Sequence, residues 1–317
     1  MGRMCCVNRN AILGAPTGGG PLGLDQFVVH CADSTHYPAR LSGHFGTCPG
    51  RPMRWVDTRP VAFLSVNAQE SLLPLLELDG VAEAVTSARA AIDEVHRHPA
   101  NRRGWPTTAA EASVRAARAS AAVAGGATEI PETGEVSDPL LAGALRIAEG
   151  MGPLLPTWQR APLQALARLH VLAAADLVED KESLGRPRAD REVSERLDLL
   201  ARIVADSSGK SQGVIPGPVL AAVVHGELLA LSPFGLADGV IARAAARLTV
   251  IGSGLDPKGL VVPEVAYFRR QGDYSAAADG FANGDPEGVG EWLHYCCRAL
   301  EAGAREAKSI ADAVQDA

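Results

Sequence analysis

Residues 218–239 read Pro218-Val219-Leu220-Ala221-Ala222-Val223-Val224-His225-Gly226-Glu227-Leu228-Leu229-Ala230-Leu231-Ser232-Pro233-Phe234-Gly235-Leu236-Ala237-Asp238-Gly239, and this stretch decides the fold. Pro218 suits the start of a helix, where its missing N–H and fixed φ cost nothing. Through Leu231 the chain is apolar on every side except at His225 and Glu227, the pattern of a buried helix. Pro233 blocks smooth continuation, and Ser232 to Gly239 then read as a tight, glycine-bearing loop. Asp238 is expected to N-cap a second buried helix over Val240 to Ile251. Free N–H groups at that helix start, with the positive end of its dipole, suit a phosphate. Arg243 and Arg247, four apart, share a face, and Arg243 is placed to reach the same anion. The same residues also fit an ordinary helical hairpin with a solvent-facing arginine.

Outward from the hairpin the helical spacing persists, and an all-α fold is expected. Leu72, Leu75, Leu76, Val81, Val85, Ala88 and Ile92 recur at helical spacing, predicting a helix from Gly80 to His96. Thr107 and Thr108 before Glu111 resemble a capping box for a helix that ends at Val123 before Gly125-Gly126. Asp138-Pro139 opens a third helix, expected to stop at Gly150, and Pro162 opens another through Leu172. Lys181 to Arg191 is charged and broken by Gly185 and Pro187, hence a loop, and Glu192 to Ala205 is helical again. Gly252-Ser253-Gly254 has neither the preceding strand nor the spacing of a dinucleotide fingerprint. Near the end, Phe281, Trp292 and Tyr295 are expected core contacts and His294 an exposed residue. Cys296 and Cys297 are not expected to face inward together, and residues 301–316 should form an amphipathic helix solvated on one face.

Composition narrows the function. The chain has 317 residues, 47% hydrophobic, 21% charged and only 4% aromatic, enough for a sizeable core. No stretch of about 18 apolar residues suggests a membrane span. A net charge of -7 and a pI of about 5.6 disfavour a nucleic-acid partner. The charge is uneven: residues 1–60 carry six arginines and three aspartates, and the remainder 24 basic against 34 acidic groups. Cys5, Cys6, Cys31 and Cys48 lie early and Cys296 and Cys297 late, which is no disulfide framework, so a reducing cytoplasm is expected. Residues 1–58 lack periodicity and are expected to be a disordered extension, and their start is not expected to be a signal peptide because no apolar core follows Arg3. Met53 would be a natural start. Cys5, Cys6, His30, Cys31, His36, His44 and Cys48 are ligand types suited to zinc, but without zinc spacing.

At residues 232–243 the chain resembles the Fic/Doc (Fido) family. That signature joins a helix to the loop His-Pro-Phe-x-Asp/Glu-Gly-Asn-Gly-Arg, followed by x-x-Arg on the next helix. Aligned without a gap, Pro233, Phe234, Gly239 and Arg243 match, and Ala242 is common there too. Ser232 stands for the histidine, Leu236 for the acid, Ala237 for its glycine, Asp238 for the asparagine and Val240 for the first arginine. His225, the His170 helix, Gly185-Arg186-Pro187-Arg188, Tyr274, Gly284-Asp285 and Trp292 also fall where the family has counterparts. The resemblance runs from Gly80 to Ala307. It divides the chain into 72–135, N-terminal helices with an inhibitory-helix-like segment, and 136–317, a Fido-like domain.

The resemblance implies transfer of AMP, or another phosphate-containing group, to a protein hydroxyl. In the family the histidine is the general base, the acid holds Mg²⁺ and the arginines clamp phosphate oxygens. The implied site residues here are Ser232 and Asp238 for catalysis, and Phe234, Gly235, Ala237, Asp238, Gly239 and Arg243 for nucleotide, with no metal ligand. A serine hydroxyl is no base near neutrality, Leu236 cannot bind Mg²⁺, and His225 lies about 10 Å of helix rise from Ser232. Family inhibitory helices read Ser/Thr-x-x-x-Glu-Gly/Asn; Ser120 to Gly125 keeps the serine and glycine but has Ala124 for the glutamate. The leading expectation is a degenerate Fic protein that binds ATP or another nucleotide with little or no AMP transfer. An active transferase working through Asp238 and a non-catalytic interaction module are the alternatives. The protein partner and the oligomeric state are not written in the sequence.

Overall fold

The computed structural model describes residues 68–132, 134–207 and 214–316. The expected extension 1–58, Met53 and the early cysteine and histidine cluster lie outside the described residues. Among the described residues, a 3-10 stretch, Ala68–Glu77, is followed by eleven α-helices in order. They are α1 (Val81–Arg97), α2 (Pro99–Arg103), α3 (Trp105–Val123), α4 (Pro139–Arg160), α5 (Pro162–Ala174) and α6 (Arg191–Ser207). Then come α7 (Gly217–Leu231), α8 (Asp238–Gly252), α9 (Glu264–Arg269), α10 (Gln271–Asn283) and α11 (Pro286–Asp316). Among the described residues there is no strand, and no helix is long and apolar enough to cross a membrane. The fold is all-α.

Helix α7 is apolar all round and is accordingly central. Val219, Leu220 and Val223 join a core with α1, α10 and α11, whereas Val224, Leu228 and Leu231 join a second core with α4, α5, α6 and α8. Trp292 on α11 is fully buried in the first and donates its ring N–H to the Ala222 carbonyl at 2.9 Å. Trp158 on α4 anchors the second and donates to Thr249 Oγ1 on α8 at 3.2 Å. Amphipathic α1 turns Val81, Val85, Ala88, Ile92 and Val95 onto the first core, as its spacing required.

Several local expectations change. Asp138 caps α4 as expected, accepting from the Leu141 N–H at 2.7 Å. The helix does not stop at Gly150, however, but runs through Pro153 and Pro156 to Arg160. Each interior proline costs about 3 kcal/mol, and burial of Met151, Leu154 and Trp158 on one face offsets it. Thr108 does not cap α3: the helix begins earlier, at Trp105-Pro106, and Thr108 Oγ1 instead donates to Asn101 Oδ1 at 2.7 Å. Gly143 lets α4 and α5 touch, because a Cβ there would lie 2.2 Å from the Ala173 carbonyl oxygen.

Cys296 and Cys297 are both buried, contrary to expectation. Neighbours on a helix point about 100° apart, but α11 packs against α1, α3, α7, α9 and α10, so a wide arc of it is covered. Burial pushes the Cys296 thiol well above its ordinary range and Cys297 to about 12, so neither is a nucleophile. His294 is half-buried rather than exposed, its Nε2 lying 2.8 Å from the Asp79 carbonyl oxygen. The end of α11 is amphipathic as expected, burying Gly303, Ala304, Ala307, Ile310 and Ala311.

Candidate functional site

The loop between α7 and α8 is held from outside and from within. Arg188, in the loop after α5, donates its backbone N–H to the Pro233 carbonyl at 2.8 Å. Its guanidinium donates to the Leu231 and Ser232 carbonyls at 2.8 and 3.1 Å. A cation there also complements the negative end of the α7 dipole. Phe234 stacks on His170 with ring centroids 4.3 Å apart, and His170 Nδ1 accepts the Gly185 N–H at 2.9 Å. This ties the Gly185–Arg188 segment to the motif loop twice.

Among the described residues two non-glycines have left-handed backbone, Ser232 at φ 43° and Ala237 at φ 56°. Ser232 Oγ donates to the Leu229 carbonyl at 3.0 Å, so the hydroxyl closes its own helix end. An L-residue with a Cβ is strained in this region by roughly 1 kcal/mol. Ala237→Gly should therefore raise stability by roughly 0.5–1 kcal/mol, read as a later denaturant midpoint; an earlier midpoint would show that the turn carries no such strain.

Asp238 does not cap α8. Ala237 holds the N-cap position, and Asp238 is the first helical residue. Its carboxylate reaches back into the loop and accepts the Phe234 N–H at 3.0 Å, with a further backbone bond from Gly235. The physical reason is steric: the left-handed turn at Ala237 points the side chain toward the preceding amides, where two donors wait. Burial pushes the Asp238 carboxyl up, opposed by those two amides and by the charge of Arg188.

Arg243 is not solvent-facing. It is buried and joins α8 to the end of α3. Nε donates to Ser120 Oγ at 2.9 Å, Nη2 to the Ser120 carbonyl at 2.8 Å and Nη1 to Tyr274 Oη at 3.3 Å. The guanidinium cannot accept, so the Tyr274 hydroxyl is free to donate to His225 Nε2, 2.8 Å away. Arg247 turns the other way and donates to the Val261 and Gly259 carbonyls. The segment Ser120–Gly125 thus docks on the last motif arginine through its serine and a carbonyl. Sequence reasoning singled out Ser120 and Tyr274 but missed Gln271, which holds the Ala122 carbonyl at 3.2 Å.

His225 is held neutral, its pKa pushed well below the ordinary value by burial and then by Arg243. The unfolded chain takes up a proton at this histidine as pH falls through about 6.5, and the folded chain does not. Stability from this group is therefore complete above that pH and lost below it, by about 1.4 kcal/mol near pH 5.5. Asp238 and Glu264, raised by burial, act in the opposite sense. Comparing the urea midpoints of the native chain and His225→Gln at pH 7.5 and 5.5 isolates the histidine. Equal pH dependence in the two would contradict a neutral buried His225.

A cavity of about 400 Å³ opens beside α8. Asp238, Gly239 and Arg243 wall one side, Ala124 and Leu140 another, and Gln271 and Ser275 a third. Of the residues expected from sequence, Ala237, Asp238, Gly239 and Arg243 line it, and Ser232, Phe234 and Gly235 do not. Leu236 points out, 44% exposed, and Val240 is buried in the core, so neither fills the space. The residues do not fit Mg²⁺. Leu236 offers no oxygen, Asp238 spends its carboxylate on amides, and among the described residues no group of three histidines, cysteines or acids gathers.

A fragment of Fic-1 from C. elegans superposes on the chain with a TM-score of 0.54 at 17% identity, covering 76% of this chain and 77% of the worm chain. A single-substitution variant of that fragment gives a TM-score of 0.57, again at 17% identity, over 77% and 81%. This chain has the Fic fold. No protein-family model and no curated protein matches the sequence. Within the Fic fold, α7, the motif loop and α8 form the central hairpin, and the cavity lies between α8, α10 and the end of α3.

Proposed function

We propose that this Fic-fold chain has little or no AMP transfer and a pocket for a nucleotide-sized ligand. The observation that carries the reading is the open cavity of about 400 Å³ walled by Asp238, Gly239 and Arg243, within the range of ligand sites. The loss of transfer rests on Ser232, Leu236 and Val240 standing where the family has its base, metal ligand and first arginine. Removing one such group costs about 10²–10⁴-fold. Transfer through Asp238 would need a free carboxylate, and this one is bonded to the loop amides.

Calorimetry of the intact chain with ATP, ADP and NAD tests the pocket, and millimolar to micromolar binding is expected. Absence of heat with all three overturns it. Incubation with labelled ATP and lysate is expected to leave proteins unlabelled, and labelling that Asp238→Ala removes would establish a transferase instead. A protein-docking role is favoured by one observation, the exposed Leu236 at the tip of an internally braced loop. Partner capture that survives scrambling of residues 232–239 would place docking elsewhere on the scaffold.

A further inference from the structure

We propose that a ligand in the cavity and the end of α3 hold one another: both bind Arg243, but through different N–H groups, so occupancy fastens α3 instead of displacing it. The proposal rests on the pocket reading above and adds the sign of the coupling. A guanidinium has five N–H donors. Three are bonded, to Ser120 Oγ and the Ser120 carbonyl of α3 and to Tyr274 Oη of α10. One N–H on each terminal nitrogen is left over. Nη1 and Nη2 lie 3.2 and 3.5 Å from where a Cβ on Gly239 would sit, so the glycine leaves that side of the fork without a covering side chain. Gly239 and Arg243 both line the cavity there. Helix α8 also starts at this wall with no side-chain cap, and its first amides suit the same oxyanion.

The cavity is open while α3 is docked, and α3 is part of its wall. Val123 and Ala124 line it, as does Gln271, whose side chain donates to the Ala122 carbonyl at 3.2 Å. A ligand therefore meets these walls and an oriented guanidinium only when the end of α3 is in place. That end is lightly held. The buried side chains of its last turns are Ala116, Ala117, Ala119, Ser120, Ala121 and Ala122, which bury little apolar area each, so local opening costs less here than in the core. A ligand shifts such an equilibrium by its differential affinity for the two states, and the coupling is reciprocal. At ten times its dissociation constant, a ligand that binds only the docked state lowers the open population about tenfold.

The test is amide hydrogen exchange of the intact native chain with and without nucleotide. Calorimetry first gives the dissociation constants of ATP, ADP and NAD, and the tightest of the three is then added at ten times its value. Exchange across Ser120 to Gly126 should slow about tenfold. The short helix α2, beside the opposite end of α3, should keep its rate. Faster exchange at Ser120 to Gly126 with nucleotide bound would mean that ligand and α3 compete for the arginine, and unchanged exchange that they are independent. Either result overturns the coupling and leaves the pocket standing. Equal slowing of α2 would mean a general stabilisation of the fold and overturns it too. No heat with any of the three nucleotides overturns pocket and coupling together.

Discussion

Arg196→Ala is expected to cost about 3–5 kcal/mol of stability, the larger of two lesions that the fold makes legible. Glu227 lies in the middle of α7 and is completely buried. Its carboxylate meets Arg196 of α6, with Nη2 at 2.5 Å and Nε at 3.2 Å from Oε2. Both side chains are out of water, so truncating the arginine leaves an ionised carboxylate in the core or forces it to take up a proton. The paired variant Arg196→Met with Glu227→Leu removes both charges at similar volume and should regain most of the loss, since a buried pair is roughly neutral against an apolar substitute. Urea unfolding of the single and double variants measures this. A single variant within 1 kcal/mol of the native chain, or a double variant no better than the single, would show that Glu227 has other means of solvation.

The same residue shows where sequence reading ends. Glu227 interrupts an apolar run, and the run alone placed α7 at the centre of an all-α fold, with α1, α5 and the capped start of α4 following from spacing and proline position. Periodicity assigns faces, however, and not partners. Arg196 is 31 positions from Glu227, and Ser120 is 123 from Arg243. Nothing local distinguishes those contacts from solvation. Pro153 and Pro156 are strong local stop signals for a helix, overridden by the burial of Trp158 and Leu154 that only the tertiary fold supplies. Asp238 was misread for a related reason. Aspartate before a helix usually caps it, but the left-handed turn at Ala237 aims the carboxylate backward, and an alanine gives little warning of that conformation. In the candidate site, Asp238, Gly239 and Arg243, which the sequence grouped together, line one cavity. The sequence did not reveal that the first and last of these spend their polar atoms inside the protein.

Arg243→Ala should destabilise the chain by about 3 kcal/mol or more, because hydrogen bonds to a charged group are worth about 1.5–3 kcal/mol each and the substitution also leaves a void. Three bonds are lost, and the Ser120 carbonyl and Tyr274 hydroxyl are left in a buried setting. The effect should be local in a recognisable way. Amide exchange should accelerate at the end of α3, around Ser120 to Gly126, more than along α1. His225 should become easier to protonate, because Arg243 is one of the two causes that depress it. Arg243→Lys keeps the charge without the planar fork and should recover less than half of the loss. An unchanged denaturant midpoint for Arg243→Ala would mean that α3 is held without the arginine. The expected result carries a consequence for function. An arginine that fastens α3, Tyr274 and α8 together has a structural reason to be there whether or not a phosphate ever reaches it. Ligand affinity lost in Arg243→Ala is therefore to be weighed against Ser120→Ala, which loosens the same clamp by about 1 kcal/mol while leaving the guanidinium in the cavity wall. If Ser120→Ala weakens binding as much as Arg243→Ala does, the arginine acts on the ligand by shaping the pocket; if only Arg243→Ala weakens it, the guanidinium touches the ligand itself.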